Sequence, residues 1–245
     1  MRIISLVPSL TELLFDLGLE ASIVGRTKFC IHPKDKVRHV AKIGGTKNVN
    51  IPTVQSLRPD LIIANKEENT KSDVEALKKI CPVHITDISD YHTAINAINE
   101  IGELTNTIKR AKTIIDSIES EFEKISQLKI ERKSVCYLIW NDPMMTVGND
   151  TFIHDMLERC GLLNVFENET RYPIIDEKIL LEKNPDYIFL SSEPFPFKQT
   201  HISRYKELCP NSKVILVDEE YYSWYGSRMI SATAYFNKLV QELST

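Results

Sequence analysis

The sequence predicts an α/β protein made of two similar lobes joined by one long helix. Three observations carry this prediction. Strand-length apolar runs alternate with helical patterns, one helical pattern runs uninterrupted through the middle of the chain, and segments before that pattern are echoed after it. Because strands that alternate with helices pair side by side, each lobe is expected to contain a parallel sheet covered by helices.

The first lobe opens with an apolar strand and an amphipathic helix. Residues 2–7 are predicted as a buried strand. Ser9 and Glu12 have the S-x-x-E spacing of a capping box, which predicts a helix start, and Gly18 is expected to end that helix. Three more strands are predicted at residues 22–25, 61–64 and 83–86.

Residues 107–128 form the longest helical pattern. Apolar side chains recur every three or four residues without Gly or Pro, at Ile108, Ala111, Ile115, Ile118, Phe122, Ile125 and Leu128. At 1.5 Å per residue this helix would span roughly 33 Å, the diameter of a small domain. It is interpreted as a strut between two halves, the alternative being an amphipathic helix packed on one domain. The predicted division is 1–105, an N-terminal lobe; 106–130, the bridging helix; and 131–245, a C-terminal lobe.

Three segments before this helix resemble three segments after it, in the same order. Residues 56–67 resemble 182–193, residues 14–25 resemble 156–167, and residues 78–88 resemble 206–219. The echoes indicate one α/β unit used twice. Glu67 and Glu193 each lie eight positions after a Pro-Asp pair's proline, so they are expected at equivalent places beyond strand ends.

The amino-acid composition limits the classes of partner and the location that are expected. The formal net charge is −4 and no Lys/Arg-rich run stands out, so nucleic acid is not an expected partner. The apolar runs are strand-length, which predicts no transmembrane helix. The opening run ends at Pro8 and is interpreted as a strand and not as a cleaved leader. The five cysteines are predicted to be buried free thiols, a Cys81–Cys209 disulfide being the alternative.

The usual catalytic signatures are missing. The chain contains no G-x-G-x-x-G, Walker A, G-x-S-x-G or H-E-x-x-H motif, and its six histidines show no ligand spacing. The protein is therefore predicted to be no enzyme, with no catalytic residue, resident cofactor or dedicated metal site. The enzyme alternative, acting on a corrinoid or similar bulky metabolite, would have to use Asp142, His32 and Cys30.

Four loop segments, 28–33, 44–48, 140–145 and 221–228, are unusually aromatic and polar. Aromatic faces with a few polar groups suit a large, flat, partly apolar ligand. For each loop residue the alternative is packing against the core. Arg228 could address a ligand carboxylate or phosphate, or it could equally favour the local loop geometry at a helix start. The candidate ligand-binding residues are Phe29, Cys30, His32, Thr46, Lys47, Asn48, Trp140, Met144, Tyr222, Trp224, Tyr225, Ser227 and Arg228.

Three segments carry a family resemblance: RIISLVPSLTELLFDLGL, IGGTKNVNIPTVQSLRPDLIIA and VGNDTFIHDMLERCGLLNVF. With them the chain resembles the helical-backbone substrate-binding proteins of ABC importers for cobalamin and iron-siderophores, and the cobalamin-binding members most. The resemblance implies two Rossmann-like lobes bridged by one helix, a monomer, and a ligand held in the cleft between the lobes. It places Phe29, Trp140, Trp224 and Tyr225 where the family lines that cleft.

The resemblance also implies a partner and a location. One surface Glu of each lobe is expected to dock onto the ABC permease dimer, the candidates being Glu67, with Glu68 beside it, and Glu193. Solvated loop charges are the alternative. The implied location is the periplasm or the cell surface, although no signal peptide is visible, and it would be the cytoplasm if Met1 is the native start.

The ligand is expected to be a corrinoid such as cobalamin. Haem or a ferric siderophore are the alternatives. Haem would need a Tyr or His axial ligand, for which Tyr222, Tyr225 and His32 are available. An anionic siderophore would attract Lys28, Lys47 and Arg228.

Overall fold

The computed structural model describes residues 1–126 and 132–243, which form two compact units. Unit 1 comprises Met1–Ile88, His92–Ile118 and Trp224–Ile230. Unit 2 comprises the described residues of Ser89–Tyr91, Glu119–Ser223 and Ser231–Thr245. The predicted lobe boundaries stay a prediction; the units also take in short segments from elsewhere in the chain, most notably Trp224–Ile230.

The first part of the chain, through the long helix, contains seven strands and six α-helices. In order they are β1 (Ile3–Ser5), α1 (Pro8–Asp16), β2 (Ile23–Arg26), α2 (Lys34–Val37), β3 (Ala41–Lys42), β4 (Gly44–Gly45), β5 (Asn48–Val49), α3 (Ile51–Ser56), β6 (Leu61–Asn65), α4 (Lys71–Leu77), β7 (Val83–Thr86), α5 (Tyr91–Leu104) and α6 (Ile108–Ser126).

The described residues after the long helix form six strands and five α-helices. In order they are β8 (Lys133–Leu138), β9 (Trp140–Asn141), β10 (Met144–Met145), α7 (Phe152–Arg159), β11 (Leu162–Asn164), α8 (Glu177–Lys183), β12 (Tyr187–Ser191), α9 (Gln199–Leu208), β13 (Lys213–Val217), α10 (Glu220–Ser223) and α11 (Met229–Leu243).

Each unit contains its own parallel sheet. The sheet of unit 1 has the order β3-β2-β1-β6-β7, and the sheet of unit 2 has the order β11-β8-β12-β13. Strand pairs within both sheets are parallel. The order β2-β1-β6-β7 corresponds strand for strand to β11-β8-β12-β13. The predicted α/β fold with two parallel sheets is confirmed, and the shared strand order agrees with the predicted repeat.

The repeated Pro-Asp pair has the same structural task in both units. The Asp60 carboxylate accepts a hydrogen bond of 2.6 Å from the backbone N–H of Arg2, at the start of β1. The Asp186 carboxylate accepts bonds from the backbone N–H (2.8 Å) and the hydroxyl (2.7 Å) of Ser134, in β8. Each aspartate therefore ties the strand that follows it to the neighbouring central strand.

The predicted capping box on the first helix is wrong. Helix α1 begins at Pro8, and its N-cap residue Val7 makes no side-chain capping bond. Proline occupies the first helical turn because its missing N–H is not needed there. Ser9 is consequently inside the helix and buried. The predicted end is confirmed, since Gly18 follows the helix with a φ of 77°.

Helix α6 belongs to both units, because its residues up to Ile118 are part of unit 1 and those from Glu119 are part of unit 2. The prediction of a long helix that joins two halves is confirmed; its last predicted apolar position, Leu128, lies outside the described residues.

All five cysteines are free, and all but Cys81 are buried. Within the described ranges, no helix combines the length and apolarity needed to cross a membrane.

Candidate functional site

An open pocket of about 490 Å³ lies on unit 1, beside the β4–β5 hairpin. It is lined by Lys28, Phe29 and residues 44–48. Four of the predicted ligand-binding residues come together in it: Phe29, Thr46, Lys47 and Asn48. The pocket combines one aromatic ring with two ammonium groups, a hydroxyl and an amide, which is a mixture suited to a bulky ligand that is apolar on one part and polar on another.

Two glycines shape this pocket. The backbone N–H of Lys28 donates a 2.8 Å bond to the Gly44 carbonyl and so ties the loop after β2 to the hairpin. Gly44 has a φ of 107°, and a Cβ there would come within 2.4 Å of the Asn48 carbonyl oxygen. A Cβ on Gly45 would lie 3.4 Å from the Phe29 ring. That distance is an ordinary van der Waals contact, so glycine is required at position 44 and not at position 45; Phe29 itself is 49% exposed.

The loop after β6 supports the hairpin from another side. The Asn69 side chain donates a 2.9 Å bond to the Thr46 carbonyl. The Asn65 side chain accepts bonds from the backbone N–H groups of Glu67 (2.8 Å) and Glu68 (3.3 Å). Burial raises the pKa of Glu68, and the charge of nearby Lys47 opposes that rise.

A second group of predicted residues packs against helix α1. Arg228 holds Glu12 with two hydrogen bonds, 2.9 Å from Nε to Oε2 and 2.6 Å from Nη2 to Oε1. Its guanidinium lies 5.1 Å from the ring centroid of Trp224, and the His32 ring meets that indole edge-on at 5.5 Å. Burial raises the pKa of Glu12, and the positive charge of Arg228 opposes the rise. Arg228 is thus paired with a carboxylate of the chain itself.

The segment around Arg228 is fastened to α1 by a second polar contact. The Ser227 hydroxyl donates a 2.5 Å bond to Asp16. Gly226 has a φ of 96°, and a Cβ there would lie 3.4 Å from the Cβ of Leu13. Trp224 and Tyr225 are both buried. These contacts assign residues 224–230 to unit 1, where they act as a tie across α1.

Two residues predicted to face a ligand are core residues. Cys30 is buried, with its sulfur 3.1 Å from the Thr11 hydroxyl and 3.2 Å from the Thr27 hydroxyl. Tyr222 is fully buried in unit 2, where the rings of Tyr137, Phe189 and Phe236 pack around it. Burial raises the pKa of both groups. In this structure neither side chain is exposed, and their predicted contact with a ligand stays a prediction.

In unit 2, Trp140 lies on the short β9–β10 hairpin. Its side chain is 38% exposed and meets the Phe195 ring edge-on at 5.7 Å. Its indole N–H donates a 3.0 Å bond to the Asp142 carbonyl. Met144, on the same hairpin, is only 6% exposed and packs in the core cluster of unit 2. Met144 is therefore a core residue in this structure, and its predicted contact with a ligand stays a prediction.

Sequence reasoning missed the residues that support this hairpin. The Asn141 side-chain oxygen accepts bonds from the Tyr205 hydroxyl (3.1 Å) and from Nη1 of Arg204 (3.3 Å), and Arg204 also pairs with Glu177 at 2.9 Å. Burial raises the pKa of Tyr205 to about 12. For Phe195 the sequence contains a signal: the run Pro-Phe-Pro-Phe begins three residues after the end of β12.

The acidic candidates for docking differ in exposure. Glu67 lies two residues after the end of β6, and Glu193 lies two residues after the end of β12. They are thus at equivalent positions of equivalent strands, as the repeat predicts. Glu193 is exposed, whereas Glu67 and Glu68 are half-buried. Among the described residues, no three His, Cys, Asp or Glu side chains are grouped closely enough to hold a metal ion.

The pattern that defines the periplasmic binding protein family matches residues 3–207. An uncharacterized ABC transporter substrate-binding lipoprotein, YvrC of Bacillus subtilis, is 32% identical over 76% of this chain, which spans 62% of that protein's length. A vitamin B12-binding protein of Photorhabdus laumondii is 23% identical over an alignment that covers 100% of this chain and 88% of that protein. The structure of the periplasmic heme-binding protein HutB of Vibrio cholerae superposes with a TM-score of 0.85 over 98% of both chains, at 16% identity.

Proposed function

The chain belongs to the periplasmic binding protein family, and from that premise we propose that it captures a corrinoid such as cobalamin and delivers it to an ABC permease. The family consists of solute-binding proteins without enzymatic activity. The observation that carries the corrinoid proposal is the pocket of unit 1, where the exposed Phe29 ring stands beside Thr46, Lys47 and Asn48. The ring would stack on the apolar part of the ligand, and the polar groups would address its amides and phosphate.

The positions of the candidate axial ligands favour a corrinoid over haem. Haem needs a Tyr or His side chain that can reach its iron. Tyr222 is enclosed in the core of unit 2 and Tyr225 is 6% exposed, so neither phenol is presented to a ligand. His32 is half-buried and contacts the Trp224 ring edge-on. Vitamin B12-binding proteins are among the relatives and heme-binding proteins are among the similar solved structures, so the preference for a corrinoid rests on the positions of these side chains.

A ferric siderophore is the second candidate, favoured by one observation. Lys28 and Lys47 both line the pocket, and two ammonium groups suit an anionic chelate. Arg228, the third predicted cation, is engaged by Glu12 and adds no charge to this pocket.

Calorimetric titration of the unliganded protein tests the proposal. We expect one-to-one binding of cyanocobalamin and weaker binding of haemin and of an anionic ferric siderophore. Phe29→Ala should weaken the binding of cyanocobalamin about tenfold, because the ring's stacking and burial are lost. Ile31→Ala is the matched control, since Ile31 is an equally exposed apolar residue of the same loop outside the pocket lining. Tighter binding of the siderophore than of cyanocobalamin would select the second candidate.

The proposal keeps four more of the predicted residues, but it gives them two different roles: Trp140 on the one hand, and Trp224, Ser227 and Arg228 on the other. Trp140 presents an exposed ring, and Trp140→Ala is expected to weaken binding. Trp224, Ser227 and Arg228 form the tie on α1, so their proposed contribution is to hold the loop that contains Phe29 and His32 in place. Equal affinity of the Trp140→Ala variant and the wild type would remove Trp140 from the site.

We further propose that Glu193 and Glu67 dock onto basic residues of the permease dimer, one from each unit. Exposure makes Glu193 the stronger candidate. The Glu193→Arg substitution, which reverses the charge, should abolish stimulation of the permease ATPase in reconstituted vesicles and leave the affinity for cyanocobalamin unchanged. Glu182→Arg, an exposed carboxylate of α8, is the control for the charge change. Delivery to a permease in the membrane implies a periplasmic or membrane-anchored location, which the names of two relatives state for those proteins. We propose that the binding protein acts as a monomer.

A further inference from the structure

Positive charge is concentrated in one short part of unit 1. Residues 26–47 contain seven of the chain's 30 Lys and Arg residues and only one of its 34 Asp and Glu residues. The rest of the chain therefore contains 23 basic and 33 acidic residues, so a segment of net charge +6 belongs to a chain that is otherwise at −10. The cations are spaced along the segment and form no continuous run: Arg26, Lys28, Lys34, Lys36, Arg38, Lys42 and Lys47.

This segment surrounds the carboxyl-terminal end of β2. Arg26 is the last residue of that strand, and in the parallel register Lys42 of β3 is opposite it. Because β1, β2 and β6 are parallel, the loop after β2 emerges at the same end of the sheet as the loop after β6, which contains Glu67. The end of the sheet that presents the proposed permease contact therefore also presents the positive segment.

Helix α2 and strand β3 provide four exposed cations beside the ligand pocket and outside its lining. They are named here the basic surface and consist of Lys34, Lys36, Arg38 and Lys42. Within the described part of the chain, only Lys36 of these four forms an ion pair, at 2.8 Å with Glu20. Three exposed cations of the basic surface thus have no carboxylate partner.

A buried guanidinium adds to this charge from beneath. Arg26 is 5% exposed; its Nε donates a 3.1 Å bond to the Val37 carbonyl at the end of α2, and its Nη1 donates a 3.1 Å bond to the Thr27 carbonyl. Both acceptors are uncharged, so these bonds satisfy the donors without neutralising the charge. A negatively charged surface beside α2 would be attracted by five cations and repelled by two carboxylates, those of Asp35 and Glu20.

An exposed apolar side chain lies next to the basic surface. Ile31 is 46% exposed, precedes α2 by three residues and is outside the pocket lining. Cations beside an exposed apolar group suit the surface of an anionic membrane, because the headgroup charges attract the cations and the apolar group enters the boundary between headgroups and acyl chains. The mostly lysine composition fits such a surface, since flexible ammonium groups need no fixed partner geometry.

We propose that the basic surface binds anionic phospholipid headgroups around the permease and that Ile31 enters the headgroup region beside it. The proposal rests on the proposed function in one respect, since delivery to a permease brings this end of unit 1 to a membrane. Each cation near an anionic membrane strengthens binding roughly fivefold, so the three without an ion pair together supply about a hundredfold. This contact holds unit 1 at the membrane with Glu67 toward the permease.

Flotation of the protein with lipid vesicles tests the proposal without a permease. We expect binding to vesicles made of equal parts of phosphatidylglycerol and phosphatidylcholine, a loss of that binding as the salt concentration rises, and no binding to phosphatidylcholine alone. The triple variant Lys34→Gln/Arg38→Gln/Lys42→Gln should bind the anionic vesicles about a hundredfold more weakly. Ile31→Ala should weaken the binding about threefold, because part of the inserted apolar surface is lost.

A matched control removes the same charge from unit 2. The triple variant Lys178→Gln/Lys206→Gln/Lys238→Gln changes three exposed lysines there and should bind the vesicles as the wild type does. Equal loss of binding in both triple variants, or binding of a DNA duplex but not of the vesicles, would overturn the proposal.

Titration with cyanocobalamin separates this proposal from the proposed function. Vesicle binding that depends on the basic surface, in a protein that does not bind cyanocobalamin, would overturn the corrinoid assignment and support the membrane contact. Binding of cyanocobalamin by a protein that ignores anionic vesicles would support the proposed function and overturn the membrane contact.

Discussion

Replacing Arg228 by methionine would break the most enclosed ion pair described on unit 1. The Arg228 and Glu12 side chains are only 12% and 17% exposed, and two hydrogen bonds join them. Methionine keeps apolar contact with the Trp224 ring but removes both donors. The Glu12 carboxylate would then stay largely buried without its cation, and that loss dominates the effect of the substitution.

The cost can be bracketed from these contacts. Hydrogen bonds to charged groups contribute about 1.5–3 kcal/mol, and removing one partner of a buried pair costs about 3–5 kcal/mol. The residual exposure of both side chains places the expected loss near the lower bound of the second range. We therefore expect the Arg228→Met variant to lose about 3 kcal/mol of unfolding free energy at pH 7.

The loss should depend on pH with a defined sign. Burial raises the pKa of Glu12 above its ordinary 4.5, and Arg228 is the largest influence that lowers it. A carboxyl group whose pKa is raised by folding binds more protons in the folded state, so stability declines as the pH rises through the folded pKa. Without Arg228 the pKa rises further and the decline grows. The deficit of the variant should thus be largest at pH 7 and shrink as the pH falls toward 4.5.

Urea unfolding followed by far-ultraviolet circular dichroism measures this, at pH 7 and pH 5. Glu12→Gln and the Glu12→Gln/Arg228→Met double variant complete a cycle, in which the double variant should lose less than the sum of the two single variants. Lys238→Met removes an exposed pair of 3.8 Å with Glu242 and should cost below about 1 kcal/mol. A deficit equal at both pH values, or strict additivity, would refute the reasoning.

Three further predictions concern stability and reactivity. Asp186→Asn should lower the unfolding free energy by about 1 kcal/mol at pH 7. Because hydrogen bonds from Ser134 lower the pKa of Asp186, the stability advantage of the wild type in urea unfolding should vanish as the pH falls below 3.8. An advantage that persisted below that pH would count against this explanation. Gly44→Ala should lower the melting temperature and weaken cyanocobalamin binding, since it places a Cβ 2.4 Å from a carbonyl oxygen at positive φ, whereas Gly45→Ala should be tolerated; equal effects of both changes would contradict the geometry. An aromatic disulfide reagent should label Cys81 first, because the other thiols are buried, and a Cys81→Ser variant that kept the fast phase would disprove this.

The sheets were predictable because burial on both faces produces short apolar runs. Strands β6 and β12 lie within segments whose Pro-Asp pairs already stood out in the sequence. The repeat is visible in the sequence for a physical reason: Asp60 and Asp186 each accept a bond from a backbone N–H near the start of a neighbouring strand, so the same residue type is required twice.

Which side chains of the candidate ligand-binding loops face outward could not be predicted. Met144 and Met145 are chemically identical neighbours, and only the pairing with β9 and with Ile174 shows which one faces outward. The partner of Arg228 was equally hidden, since Glu12 is 216 positions away along the chain. In the first helix the sequence pattern and the structure disagree. Ser9 and Glu12 have the spacing of a capping box, but Pro8 occupies the first helical turn and Glu12 pairs with Arg228 instead.

Residues 224–230 have a consequence for how this chain can be divided. They are part of unit 1, although the chain on both sides of them is part of unit 2. No continuous stretch of the gene therefore encodes a whole unit, and a fragment ending within α6 would carry Glu12 and Asp16 without the guanidinium and hydroxyl that satisfy them. Exchange of a unit between related proteins would need to transplant three separate pieces, so evolution is expected to change the two units together more readily than to shuffle them.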